Sequence, residues 1–121
     1  MQVLILFGSN SDSVCYDRII SGLKEKKIQF DFHVCSSHKT FSQLTGILSK
    51  TKADLFIAGA GLAAALPGVI AAQTTKPVIG VPCLGAFDGL DAFLTIAQMP
   101  PGIPVATVAM TPDPPSLAAG K

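Results

Sequence analysis

The chain has 121 residues, of which 49% are hydrophobic and 14% are charged, and its formal net charge is +1. This length allows one domain, the apolar content excludes intrinsic disorder, and the near-neutral charge excludes a protein that binds nucleic-acid backbone by bulk electrostatics. An average soluble domain has about 25% charged residues, so the low charge also raises the question of a membrane protein.

Strands and helices alternate in the hydrophobic pattern. An apolar run ended by Gly8 predicts a first strand that is buried on both faces, and Asp12 or Ser13 is expected to cap the helix that follows. The second strand alternates apolar and polar residues, which indicates a position nearer the sheet edge. In chain order, the predicted elements are a strand at 3–7, a helix at 14–27, a strand at 30–35, a helix at 41–48, a strand at 55–58, a helix opened by Leu66-Pro67-Gly68, a strand at 78–81, a helix at 91–97 and a strand at 105–110.

Residues 55–75 carry no charged side chain and are nominally long enough to span a bilayer. They include Gly59, Gly61, Pro67 and Gly68 and are rich in alanine, so they form a poor membrane span. The stretch is better interpreted as a strand, a glycine loop and a helix with proline near its first turn. Because the N-terminus has no basic leader and no small-residue cleavage site, we expect a cytoplasmic protein.

Alternating strands and helices imply parallel pairing through right-handed crossovers. We therefore predict a single α/β domain over residues 1–110, a three-layer α/β/α sandwich with a central parallel sheet of flavodoxin-like strand order. Residues 111–121 form a proline-rich tail that cannot continue a helix. Cys15, Cys35 and Cys83 lack metal-ligand spacing and are expected to be buried reduced thiols, and we predict no metal.

Ligands of such a sheet bind at the carboxyl ends of the strands, and two loops there are rich in polar residues. The segment Gly8-Ser9-Asn10-Ser11-Asp12 places hydroxyl groups and a carboxylate at a helix N-terminus, which favours a phosphate or serves only to cap the helix. The segment Ser36-Ser37-His38-Lys39-Thr40 joins a histidine, the side chain that ordinarily titrates near neutrality, to a cation suited to a phosphate. The second loop makes a catalytic role the stronger interpretation.

A third loop, at residues 58–68, contains the glycines of a possible nucleotide-binding turn. It is not a dinucleotide fingerprint, because that motif needs a glycine where the chain has Ala64, and no P-loop occurs. The small residues instead allow the backbone to approach a flat ligand closely, with the N–H groups of the turn at 66–68 facing an anion.

Taken in order, these loops resemble the signatures of one enzyme family. The matching segments are Gly8-Ser9-Asn10-Ser11-Asp12, Ser36-Ser37-His38-Lys39-Thr40, Ala58-Gly59-Ala60-Gly61, Leu66-Pro67-Gly68, residues 77–82 and residues 98–109. The family is the purine-biosynthetic 5-(carboxyamino)imidazole ribonucleotide mutase, also called the catalytic subunit of phosphoribosylaminoimidazole carboxylase. The resemblance covers residues 2–110 and is specific because the motifs occur in combination.

The resemblance implies an isomerase without metal or cofactor that moves a carboxylate from the exocyclic amine to the adjacent ring carbon of carboxyaminoimidazole ribonucleotide. It implies decarboxylation, retention of carbon dioxide and recarboxylation at carbon, with His38 as the residue that transfers protons. The substrate-binding residues that the resemblance implies are Ser9, Ser11, Asp12, Ser36, Lys39, Gly59, Ala60, Gly61 and Leu66.

These residues divide by their implied roles. Ser9, Ser11 and Asp12 match the phosphate and ribose loop, and Lys39 stands where the family usually has a phosphate-binding arginine. The glycine loop and the turn that begins at Leu66 would enclose the carboxylate or the carbon dioxide.

Two departures leave alternatives open. Ala65 replaces a histidine that precedes Leu-Pro-Gly in the bacterial mutases, which favours a non-catalytic nucleotide-binding homologue. Lys39 replaces a bidentate arginine by a point charge, and serine-histidine-lysine also occurs in the branch that carboxylates aminoimidazole ribonucleotide directly with carbon dioxide. Because residues 59–62 follow the mutase pattern, we expect the mutase.

The family usually forms octamers, so the resemblance implies a homo-oligomer. Its members continue past the last strand into C-terminal helices that pack on a neighbouring subunit, whereas this sequence stops at Lys121. The low charge supports an oligomer, because subunit contacts hide apolar surface that a small monomer would expose. We expect neither a membrane nor a nucleic acid as a partner.

Overall fold

The computed structural model describes residues 1–61, 64–83 and 88–108. The elements in chain order are β1 (Gln2–Phe7), a 3-10 turn (Asn10–Asp12), α1 (Ser13–Glu25), β2 (Gln29–Val34), α2 (Phe41–Lys50), β3 (Leu55–Ala60), α3 (Leu66–Ala71), β4 (Val78–Pro82), α4 (Leu90–Ala97) and β5 (Ala106–Thr107). The strands form one parallel sheet in the order β2-β1-β3-β4-β5. This is the flavodoxin-like order, so the predicted fold is confirmed.

Helices cover both faces of the sheet, as the three-layer prediction requires. Successive side chains of a strand point to opposite faces. On one face Val3, Ile5 and Phe7 pack in a cluster with α1, and on the other Leu4 and Leu6 pack in a cluster with α2, α3 and α4. All five side chains are at most 2% exposed. The first strand is therefore buried on both faces, whereas β2 lies at an edge and alternates between exposed and partly buried residues, as predicted.

Strand β3 is longer than predicted. We expected it to end at Ala58 and a loop to begin at Gly59, but Gly59 and Ala60 continue the ladder and pair with β4. Close packing explains why this strand position holds a glycine, because a Cβ added at Gly59 would lie 2.2 Å from Cε2 of Phe7. The glycine is needed for the approach of this ring and not for a turn, so treating it as a loop residue was wrong.

The start of α1 also differs from the prediction. Asp12 occupies the N-cap position, but its side chain makes no capping hydrogen bond, and Ser13 is already in the helix. The capping bond occurs three residues earlier, where the Ser9 hydroxyl accepts the backbone N–H of Ser11 at the start of the 3-10 turn. The 3-10 turn thus satisfies the N–H groups of Ser11 and Asp12, which donate to Ser9. The Asp12 carboxylate makes no capping bond to α1.

The uncharged stretch at 55–75 contains β3 and α3, with Pro67 in the first turn of the helix, as predicted. Within the described part of the chain, no helix is long and apolar enough to cross a membrane. The three cysteines are buried, and none of them forms a disulfide. The last two residues of the predicted fifth strand and the tail at 111–121 lie outside the described residues.

Replacing Gly59 by alanine is expected to destabilise the fold, because the new methyl group overlaps the Phe7 ring. We predict a loss of about 1–3 kcal/mol in the free energy of unfolding, which is typical of overpacking. Gly46 in α2 is the matched control, since a Cβ there meets nothing within 4 Å. Gly46→Ala should stabilise the protein by about 0.5–1 kcal/mol. Urea unfolding measures both, and equal effects of the two variants would contradict the packing argument.

Candidate active site

The segments that were predicted to bind a ligand follow strands whose carboxyl ends lie at the same edge of the sheet. Backbone hydrogen bonds extend the strand pairing into them, from the Cys35 N–H to the Phe7 carbonyl at 2.8 Å and from the Gly8 N–H to the Gly59 carbonyl at 3.1 Å. A third bond joins the Cys83 N–H to the Ala60 carbonyl at 3.2 Å. The loops after β2, β1, β3 and β4 therefore leave the sheet side by side. Since one strand separates β2 from β3, their loops lie about 10 Å apart.

The loop after β1 is a compact polar turn. The Ser9 and Ser11 hydroxyl oxygens lie 2.8 Å apart, and Ser9 Oγ also accepts the Ser11 N–H at 3.2 Å. The Asp12 N–H donates to the Ser9 carbonyl at 3.2 Å, and the Tyr16 hydroxyl donates to the Asn10 carbonyl at 3.4 Å. Ser9 and Ser11 are exposed, so their hydroxyl groups are accessible to a ligand.

Asp12 has a different environment from the two serines. It is partly buried, and this burial raises the pKa of its carboxyl above the usual range. Its charge also acts on Cys83, but only weakly: hydrogen bonding with the Cys15 thiol first, and then burial, raise the pKa of the Cys83 thiol, with smaller contributions from the charges of Cys15 and Asp12. The raised pKa makes the Cys83 thiol a poor nucleophile.

The loop after β2 is closed by reciprocal bonds between its ends. Thr40 Oγ1 accepts the Ser36 N–H at 2.9 Å and donates to the Ser36 carbonyl at 3.1 Å. Ser36 Oγ accepts the N–H groups of His38 and Lys39 at 3.2 and 3.1 Å. The buried Cys35 thiol lies 3.3 Å from Thr40 Oγ1. This closure presents the His38 and Lys39 side chains to solvent, where both are exposed.

Ser36 was predicted to bind substrate, and its hydroxyl oxygen is occupied by two backbone N–H groups. A hydroxyl has one proton to donate and two lone pairs. The contribution of Ser36 to a ligand is therefore at most one donated hydrogen bond, and its main role in the described structure is to shape the loop.

At the end of β3 and the start of α3, backbone groups are available to a ligand more than side chains are. Gly59 and Ala60 are buried in the sheet, with Ala60 8% exposed, while Gly61 is partly buried at the strand end. The Leu66 side chain is 1% exposed and belongs to the core, so only its backbone is available to a ligand. The helix that it begins has only six residues, and its N-cap, Ala65, has no side-chain cap bond.

Two residues that sequence reasoning missed hold the loops. Thr40 fixes the loop after β2 (residues 36–40, the histidine loop). Tyr16, the fourth residue of α1, contacts the loop after β1 (residues 8–12, the serine loop). The threonine could have been found from its position four residues after Ser36, because serine and threonine hydroxyl groups often bond to nearby backbone. The role of the tyrosine depends on the helix packing and has no sequence signal.

A family model described as AIR carboxylase matches residues 2–120. The N5-carboxyaminoimidazole ribonucleotide mutase of Methanocaldococcus jannaschii is 51% identical over 107 residues, which are 88% of this chain and 68% of that protein. The chain belongs to the AIR carboxylase family.

Two further proteins of the AIR carboxylase family are similar to this chain, one in sequence and one in structure. The mutase of Mycobacterium tuberculosis is 45% identical over 114 residues, or 90% of this chain, but the chain spans only 65% of that protein. The crystal structure of Treponema denticola PurE has a TM-score of 0.83 and 31% sequence identity, and the alignment covers 98% of this chain and 75% of that one. The chain thus spans about two thirds of the length of these curated relatives.

We expect Thr40→Val to loosen the histidine loop of this AIR carboxylase family member, because it removes both bonds between Thr40 Oγ1 and Ser36. The variant should lose about 1 kcal/mol in the free energy of unfolding and about tenfold in turnover, since misplaced catalytic groups are costly. Thr40→Ser keeps the hydroxyl group and should restore most of both losses. Urea unfolding and steady-state kinetics measure the effects, and a valine variant that behaves like the serine variant would contradict this role.

The raised pKa of Asp12 predicts how the stability of an Asp12→Asn variant depends on pH. A carboxyl whose pKa is raised on folding favours the folded state while it is protonated, and this contribution is lost as the pH rises through the folded-state pKa. Asp12→Asn should therefore match the parent below about pH 4 and become the more stable protein as the pH rises toward neutrality. Urea unfolding at a series of pH values measures the difference, and a difference independent of pH would contradict the assignment.

Proposed function

We propose that this chain catalyses the isomerisation of carboxyaminoimidazole ribonucleotide to the ring-carboxylated nucleotide in purine biosynthesis. The observation that carries the proposal is the position of His38, in a closed loop beside the serine loop at the carboxyl edge of the sheet. The relatives named as mutases, at 45–51% identity, support the same reaction.

In this proposal, the loop after β1 and the cation after β2 hold the ribose phosphate. Ser9 and Ser11 supply exposed hydroxyl groups, and Lys39 supplies a positive charge in the adjacent loop. Asp12, partly buried behind the serines, is proposed to accept hydrogen bonds from the ribose hydroxyl groups. Phosphate recognition by hydroxyl groups, backbone N–H groups and one cation suits a chain with so little charge.

His38 is proposed to transfer one proton in each half of the reaction. When the bond between the exocyclic nitrogen and the carboxylate carbon breaks, its electron pair stays on nitrogen, and the imidazolium gives its proton to the amine. The ring carbon then forms a bond to the retained carbon dioxide, and the neutral imidazole removes the proton from that carbon. The histidine ends in its starting state, so the reaction needs no other acid or base.

The small residues at the end of β3 are proposed to retain the carbon dioxide between the two steps. The Phe7 ring occupies the side-chain space at Gly59, so the surface proposed to hold carbon dioxide is formed by Ala60, which is 8% exposed, and by Gly61, which is partly buried at the strand end. Carbon dioxide is small and carries no charge, so a pocket lined by backbone and methyl groups can hold it without hydrating it.

A second candidate function, direct carboxylation of aminoimidazole ribonucleotide with carbon dioxide, is favoured by Lys39. The serine-histidine-lysine sequence occurs in the branch that catalyses this reaction, whereas residues 59–62 follow the mutase pattern. The two activities differ in their substrates, since the second consumes free carbon dioxide and the first does not.

The test is an assay of purified protein with the carboxyamino substrate, in which we expect turnover without added bicarbonate. His38→Asn should lower kcat by about 100-fold or more, the usual contribution of general acid–base catalysis. The chain has two histidines, and His33, exposed on the edge strand, is the matched control. We expect His33→Asn to keep the parent rate.

Three results would contradict the proposal in different ways. Full activity of His38→Asn would remove the assigned proton transfer. An initial rate that depends on bicarbonate, with no turnover of the carboxyamino substrate, would establish the direct carboxylase. Calorimetry that detects nucleotide binding without any turnover would establish a non-catalytic homologue.

A further inference from the structure

An aromatic side chain of α1, Tyr16, contacts the serine loop after β1. Tyr16 lies in α1, is partly buried, and donates its hydroxyl proton to the Asn10 carbonyl at 3.4 Å. It is the one tyrosine of the chain. Its neighbours Val14 and Asp17 are exposed, so the helix turns Tyr16 toward the sheet and the loop.

The ring of Tyr16 is itself held on two sides. It lies edge-on to Phe7, with the ring centroids 5.4 Å apart and the planes at 69°. Its centroid is 4.7 Å from that of Phe32, with the planes at 45°. Phe7 and Phe32 belong to the paired strands β1 and β2, so the phenol oxygen is placed by packing against the sheet.

The hydrogen bond to Asn10 matters because of the peptide unit to which that carbonyl belongs. The Asn10 carbonyl and the Ser11 N–H lie in one rigid plane. The oxygen end of this plane is held by Tyr16, and the nitrogen end donates to Ser9 Oγ at 3.2 Å. The two hydrogen bonds restrain rotation of this plane and so favour the arrangement in which the hydroxyl oxygens of Ser9 and Ser11 lie 2.8 Å apart.

The same aromatic contacts connect the serine loop to the end of β3. The Phe7 ring that packs on Tyr16 also fills the space beside Gly59, where a Cβ would come within 2.2 Å of it. A displacement of the Tyr16 ring would therefore disturb Gly59 as well as the loop, whereas loss of the hydroxyl group alone would disturb only the loop. The two effects are separable by mutation.

We propose that Tyr16 is a positioning residue that orients the serine loop to bind a phosphate group, through its hydrogen bond to the Asn10 carbonyl. What the loop binds rests on the proposed function, but how the loop is held does not. The hydroxyl group does not touch the substrate. It restrains the peptide plane between Asn10 and Ser11, and it thereby positions the Ser9 and Ser11 hydroxyl groups that are proposed to bind the phosphate.

The test compares the parent with Tyr16→Phe, which keeps the ring and removes only the hydroxyl group, and with Ser21→Ala. Ser21 is exposed on the same helix, so its variant is a matched loss of a hydroxyl group outside the site. The measurements are the NMR order parameter of the Ser11 N–H, the Kd for inorganic phosphate, and KM and kcat with the carboxyamino substrate.

We expect the Ser11 order parameter to fall in Tyr16→Phe from about 0.85 toward about 0.6, the range of flexible backbone. The Kd for phosphate and the KM should each rise about threefold to tenfold, as for the loss of one hydrogen bond. The value of kcat should change much less than KM, and Ser21→Ala should match the parent throughout.

Several outcomes would overturn this role. An unchanged Ser11 order parameter would do so whatever the enzyme catalyses, and so would a lower order parameter with unchanged phosphate affinity and KM. Failure of Tyr16→Phe to fold, or a parallel fall in kcat and thermal midpoint, would show a structural role instead. If the parent binds phosphate more tightly than Tyr16→Phe but has no mutase activity, the proposed function fails and the positioning role stands.

Discussion

The packing of the Phe7 ring against Gly59 is the contact on which the candidate site depends. Because Gly59 has no side chain, the ring at the end of β1 lies directly beside the backbone of β3, and the two strands stay paired as far as Phe7 and Gly59. The loops that follow therefore begin at the same level of the sheet. Any larger residue at this position would separate the strands where the site is assembled.

Local hydrogen bonds then give each loop its shape. Ser36 and Thr40 close one loop, and Ser9 and Ser11 form the other, with distances of 2.8–3.2 Å. Within residues 8–12 and 36–40 the charged side chains are Asp12 and Lys39. In the proposed function, recognition therefore depends on groups that are positioned before a ligand arrives, and less on the attraction of many charges. The low charge of the whole chain is consistent with this design.

The sequence predicted the elements that depend on hydrophobic periodicity and missed those that depend on tertiary contacts. The apolar run of β1 and the alternation of β2 were sufficient to place one strand inside the sheet and the other at its edge. The glycine at 59 was interpreted as a loop residue because the ring that requires it is distant in sequence. The Tyr16 hydroxyl group could not be assigned, because its partner is set by how α1 packs on the sheet.

A structure of the chain with the ring-carboxylated nucleotide bound would show whether the carboxyl edge of the sheet is the reaction site. We expect the phosphate at about 2.7–3.2 Å from donors of the Ser9–Ser11 loop, with the imidazole ring of the nucleotide beside His38. A nucleotide bound at the opposite edge of the sheet, or bound with His38 out of reach of the reacting carbon, would contradict this assignment.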